Sequence, residues 1–106
     1  MKYKLRLSRR AKEDRQRAYD WYAANYSDEY ALRWFTGITQ SIESLSTDPF
    51  RRPKAIENDR FPFDLYELLY GAKKNKHRIL FTVREDVVFV VHIRHSAQRE
   101  LTEGDL

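Results

Sequence analysis

Charged and apolar residues alternate from residue 2 to residue 8, with Lys2, Lys4 and Arg6 interleaved with Tyr3, Leu5 and Leu7. A period of two predicts a short, half-buried strand. Ser8 stands where a helix N-cap accepts a backbone N–H, and no Gly or Pro follows before Tyr26, so a helix is predicted. Its apolar positions Ala11, Ala18, Tyr22 and Tyr26 recur at helical spacing and are joined by Trp21 and Ala23. Arg9, Arg10, Lys12, Glu13, Arg15, Gln16 and Arg17 predict a solvated face over its first half. Ser27 caps a second helix, with Asp28 and Glu29 where the helix dipole favours negative charge. Ala31, Trp34, Phe35, Ile38, Ile42 and Leu45 form the cleanest amphipathic stripe in the chain and are read as core. Almost no linker separates the helices, so they are expected to form an antiparallel hairpin.

Asp48-Pro49 ends the helical region, because the residue before proline is pushed out of the α conformation. Residues 50 to 60 read as an exposed irregular loop, and strand character resumes from Phe61 to Tyr70, both of whose faces are apolar. Gly71 to Lys76 makes a turn. Residues 76 to 95 are two runs rich in Ile, Val and Phe around the acidic pair Glu85 and Asp86, the pattern of an antiparallel hairpin. The expected fold is therefore α+β: an N-terminal strand, an antiparallel helix hairpin, then a three-stranded antiparallel meander, with the helices packed on one face of the sheet. The tail from Leu101 to Leu106 is short and acidic and is expected to fray.

Side-chain parity sets an expected register for the final hairpin. Ile79, Phe81 and Val83 share one parity, as do Val87, Phe89, Val91 and Ile93. Bringing both sets to the core requires a loop of odd length, such as Arg84 to Asp86 with Val83 opposite Val87. Arg78, His92 and Arg94 then converge on the other face, which is either a working surface or an ordinary solvated one.

Composition narrows the chemistry. With 106 residues, the chain is expected to form a single domain over residues 1–106. A net charge of +4 and a pI near 9.4 hint at an acidic partner such as nucleic acid. Cysteine is absent, which excludes disulfides and thiolate metal sites, and the three histidines lack paired carboxylates, so no metal or cofactor is expected. No apolar leader or membrane-spanning run occurs, and a cytoplasmic protein is expected. Phosphate-cradling glycine loops and nucleophile elbows are missing as well. What remains is a basic group at one end of the sheet: Lys73, Lys74, Lys76, His77, Arg78, His92, Arg94, His95 and Arg99. Such a surface could bind a target, or cleave RNA without a metal by assisting attack of the 2′-hydroxyl.

The segments Lys-His-Arg-Ile-Leu-Phe-Thr-Val at 76–83 and Val-Val-Phe-Val-Val-His-Ile-Arg-His at 87–95, with Gln98-Arg99-Glu100, resemble the RelE/ParE superfamily of bacterial type II toxins. Leu7-Ser8-Arg9-Arg10-Ala11, the aromatic stretch Tyr19 to Tyr22 and Asp48-Pro49 are similar too. The resemblance implies a toxin, of the plasmid-stabilisation kind, neutralised in a hetero-oligomer by a cognate antitoxin that wraps around it. It implies either a ParE-like inhibitor of DNA gyrase or a RelE-like endonuclease that cuts messenger RNA on the ribosome. A degenerate module that only binds its antitoxin is a third alternative. In a nuclease, Arg78, Arg94 and His95 would be catalytic; in either branch Lys73, Lys74, Lys76, His92 and Arg99 would contact the target. The tail Ser-Ala-Gln-Arg-Glu-Leu lacks the aromatic residue usual near the end of RelE-like chains, which favours the ParE-like branch. Arg78→Ala and His95→Ala are expected to relieve toxicity in a folded protein.

Overall fold

The computed structural model describes residues 2–105, so the ends of the predicted tail and domain, Met1 and Leu106, lie outside the described residues. Strand β1 (Lys4–Leu7) leads into helices α1 (Arg9–Asn25) and α2 (Asp28–Ser44), followed by strands β2 (Tyr66–Tyr70), β3 (His77–Arg84) and β4 (Val87–His95). The sheet order is β1-β4-β3-β2. β2, β3 and β4 form the antiparallel meander, and β1 pairs in parallel with β4.

Both predicted N-caps form. Ser8 Oγ accepts the Ala11 N–H and Ser27 Oγ accepts the Tyr30 N–H, each satisfying an otherwise orphaned donor of the first turn. Ala31, Trp34, Ile38, Ile42 and Leu45 are buried with Ala11 and Tyr22 against Tyr66, Leu68, Ile79, Phe81, Val88, Val90 and Ile93. One face of the sheet thus carries both helices and the main core.

The hairpin departs from its expected register. Its loop has two residues, Glu85 and Asp86, with Arg84 opposite Val87, and Glu85 takes the left-handed conformation (φ 57°) that so short a turn needs. Parity is rescued by a β-bulge. Phe81 pairs with Val90 but Leu80 pairs with His92, leaving Val91 as an extra residue. Val88 and Val90 therefore face the helices in place of Val87, Phe89 and Val91, while Arg78 still lies opposite Arg94.

The second face is not open either. Ala55, Leu65, Leu80 and Leu101 form a smaller buried cluster, with Phe61, Phe63 and Val91 packed on it. Residues 61 to 65 consequently cover the sheet rather than extend it: Asn58 Oδ1 holds the Leu65 N–H, and Phe61 stacks on Phe63. β2 begins at Tyr66, five residues later than its apolar pattern predicts. α2 likewise ends at Ser44, ahead of Asp48-Pro49, and Pro49 opens a separate 3-10 turn. The tail is anchored through Leu101, which is fully buried, and through a turn at Glu103–Asp105. No helix is long and apolar enough to cross a membrane among the described residues.

Candidate functional site

The predicted basic group is divided by the sheet. Arg78 and Arg94 are direct cross-strand partners on the loop-covered face, and His92 lies on that face two residues before Arg94. His95 pairs with His77 on the helix side, their rings edge-on at 5.2 Å.

On the loop-covered face the guanidiniums are spoken for. Arg78 grips Glu57 through Nη1 and Nη2 at 2.9 and 2.6 Å and donates from Nε to Glu67. Glu57 is fully buried and also accepts the Leu101 N–H at 2.9 Å. Burial alone would raise the Glu57 pKa, but the Arg78 and Leu101 hydrogen bonds outweigh it and hold it at about 2. The hydrogen bonds to Glu57 and Glu67 push the Arg78 pKa upward against its own desolvation. A bidentate, charge-assisted pair of this kind is locked in one geometry. Arg94 is buried and donates from Nε and Nη2 to the Arg99 carbonyl. Burial lowers its pKa.

His92 is buried beside α1. Its Nδ1 lies 2.8 Å from Asp14 Oδ2 but makes no aligned hydrogen bond, so the contact is close without being a good donor geometry. Asp14 also accepts the Ile93 N–H at 3.0 Å and is flanked by Arg10 and Arg17. Burial would raise its pKa, yet the adjacent His92, the Ile93 N–H and Arg10 together lower it. The charged first half of α1 is thus not wholly solvated: β1 has ended, and Asp14 supplies the acceptor that a further strand residue would have offered to β4.

Of the remaining predicted residues, Lys73, Lys74 and Lys76 are exposed on the turn between β2 and β3. Gly71 permits that turn at φ 106°, where an added Cβ would meet the Asn75 carbonyl oxygen at 2.4 Å. Arg99 is exposed and forms a bidentate pair with Asp105 at 2.8 and 2.9 Å.

On the helix side, a cleft of about 330 Å³ opens beside the end of β4, lined by Arg10, Arg17, Trp21, Tyr22, His77 and His95 among others. The Tyr22 hydroxyl lies 3.0 Å from His77 Nε2. Burial lifts the Tyr22 pKa to about 12, while burial and the neighbouring His95 depress that of His77 to about 4. Near neutral pH the phenol therefore keeps its proton and donates it to a neutral imidazole. His95 Nδ1 accepts the Ala97 N–H, which leaves Nε2 to carry the proton of a neutral ring.

Sequence reasoning missed Asp14, Glu57 and the Tyr22–His77 pair as anchoring groups. Asp14 falls inside the stripe Ala11, Ala18, Tyr22 at helical spacing, a signal that it points inward. His77 shares the parity of Ile79 and Phe81, which signals the same. Glu57 carries no such signal. No group of three His, Cys, Asp or Glu side chains that could hold a metal ion occurs among the described residues.

Comparison with known proteins finds matches both to a family model and among solved structures. The family described as ParE toxin of type II toxin-antitoxin system, parDE, matches residues 5–100. A solved structure titled "Chromosomal ParDE TA system from P. aeruginosa" is similar in fold, with a TM-score of 0.71 and 18% identity over 88% of this chain and 95% of that one. No curated protein matches the sequence.

Proposed function

This chain belongs to the ParE toxin family of type II toxin–antitoxin systems, and from that premise we propose that it is kept inactive by a cognate antitoxin and, once free, arrests growth by poisoning DNA gyrase in the cytoplasm. The observation that favours gyrase over RNA cleavage is the partition of Arg78 and Arg94 from His95. Metal-free cleavage needs a proton-transfer group and phosphate-binding cations within hydrogen-bond reach of the same phosphate. Here the two arginines are bound to Glu57, Glu67 and the Arg99 carbonyl on one side of the sheet, and His95 sits on the other.

Expression without antitoxin in a susceptible bacterium tests the proposal. Growth should stop with loss of supercoiling activity and accumulation of cleaved gyrase–DNA complexes, while messenger RNA stays intact. Truncated transcripts with normal supercoiling would overturn it in favour of the nuclease, and unimpaired growth would point to a module without a target. His95→Ala is the informative site variant, expected to relieve toxicity while the protein stays folded. Arg78→Ala instead strands the buried Glu57 carboxylate and reports on folding.

A further inference from the structure

Residues 10, 14, 17 and 21 lie on one face of α1 and form one wall of the cleft beside β4. At its rim two guanidiniums share one carboxylate: Arg10 Nε and Arg17 Nη1 both donate to Asp14 Oδ1, at 3.1 and 3.4 Å. Asp14 is also occupied by the Ile93 N–H. The rim therefore carries a surplus positive charge. Each guanidinium has five N–H donors and, among the described residues, spends a single one on Asp14. The interior is different. Ala18, Ile93 and the Tyr22–His77 pair make it apolar or neutral, and the Trp21 indole stands at its edge, 53% exposed.

A large exposed indole next to cationic donors that are only partly used is an unusual surface for a structural role, since burial would have stabilised the ring. It suits a ligand with a flat aromatic body and one anionic end. The cleft's volume falls within the range of small-molecule sites, roughly 300–1,000 Å³. We infer that this cleft binds a nucleotide, with the base against Trp21 and the phosphate on Arg10 and Arg17. The two sources of that chemistry are a free nucleotide and one residue of a single-stranded nucleic acid. His95 Nε2–H lies at the same cleft and supplies a donor for the base or sugar.

Titration of the full chain with adenosine 5′-monophosphate, followed by NMR of the Trp21 indole N–H and the His95 ring, tests this. Saturable shifts of both are expected, with adenosine alone and inorganic phosphate alone each binding at least about tenfold more weakly. Arg17→Gln removes a charge-assisted hydrogen bond and Trp21→Ala a stacking surface; each should weaken binding about tenfold. Both side chains are exposed, so an unchanged urea midpoint will show that the fold persists. A short single-stranded oligonucleotide that binds far more tightly than the monophosphate identifies the polymer as the source; equal binding identifies the free nucleotide. Absence of saturable shifts at millimolar concentration, equal binding of phosphate alone, or variants that bind like the parent would each overturn the inference. The measurement reads binding by the isolated chain and requires neither gyrase nor growth arrest, so its failure leaves the toxin proposal standing.

Discussion

The two faces of the sheet are stabilised by different physics. Beneath the helices, apolar side chains from both helices and three strands are buried, and the Tyr22–His77 pair in that core is kept neutral. Under the loops, a cluster of four buried apolar residues accompanies the buried Glu57 carboxylate and the largely buried Arg78 guanidinium, with Glu67 beside them. Helices bring whole stripes of side chains to a surface, so area alone can hold them. A loop brings few, and here the segment around residue 57, strand β3 and the tail are drawn together by one carboxylate that receives Arg78 and the Leu101 N–H. The helix side should therefore tolerate small changes of shape, whereas the loop side should fail when a charge is removed.

Acid should produce the largest effect, because it acts on both faces in separate windows. His77 and Glu57 both have folded-state pKa values below their ordinary ones, about 4 against 6.5 and about 2 against 4.5. The unfolded chain thus takes up protons first. The contribution of His77 is complete above about pH 6.5 and is lost as the pH falls toward 4; that of Glu57 is complete above about 4.5 and is lost toward 2. Urea midpoints measured from pH 7 to pH 3 should fall throughout, and His77→Gln should flatten the upper window alone.

Next comes Glu57→Ala, which leaves Arg78 buried without its main partner and should cost about 3–5 kcal/mol in urea unfolding. Leu101→Ala should cost roughly 3 kcal/mol by opening a cavity in the smaller cluster, and hydrogen exchange should show residues 55 to 65 opening before the helices. The smallest change is expected for Ile38→Val, about 1 kcal/mol, despite a site that is completely buried. Should Ile38→Val prove as damaging as Glu57→Ala, the contrast between the faces is wrong.

Legibility in the sequence follows the range over which each signal acts. The caps at Ser8 and Ser27 and the stripe from Ala31 to Leu45 are local, and the structure places them as expected. The hairpin's loop length is not legible in the sequence, because a period of two cannot count an extra residue: the core positions of β4 read 88, 90 and 93, and the skipped step is the bulge at Val91. Strand parity places Arg78 and Arg94 on one face, as the structure does, but their cover has no signal in the sequence, since Glu57 and Leu101 lie in aperiodic segments whose only pattern is each other. The partition of His95 from Arg94 follows directly from strand alternation. Residues grouped by the chemistry they could do are thus divided by where their Cβ atoms point, Arg78 and Arg94 to one side and His95 to the other.

The way α1 closes β4 has a further bearing on how the molecule behaves at high concentration. An uncovered sheet border is a template for another chain, and a β-rich run such as Val87 to Val91 seeds fibrils once its backbone is freed from its neighbours. Past the end of β1, Ser8 donates to the carbonyls of Val90 and Val91, and Asp14 receives the Ile93 N–H. On the opposite border Ala55 N–H and the Pro53 carbonyl occupy Leu65 and Glu67. A chain this rich in valine and phenylalanine is thereby guarded against self-templating by single polar contacts, and Asp14→Ala should shorten the lag before thioflavin-positive aggregates form.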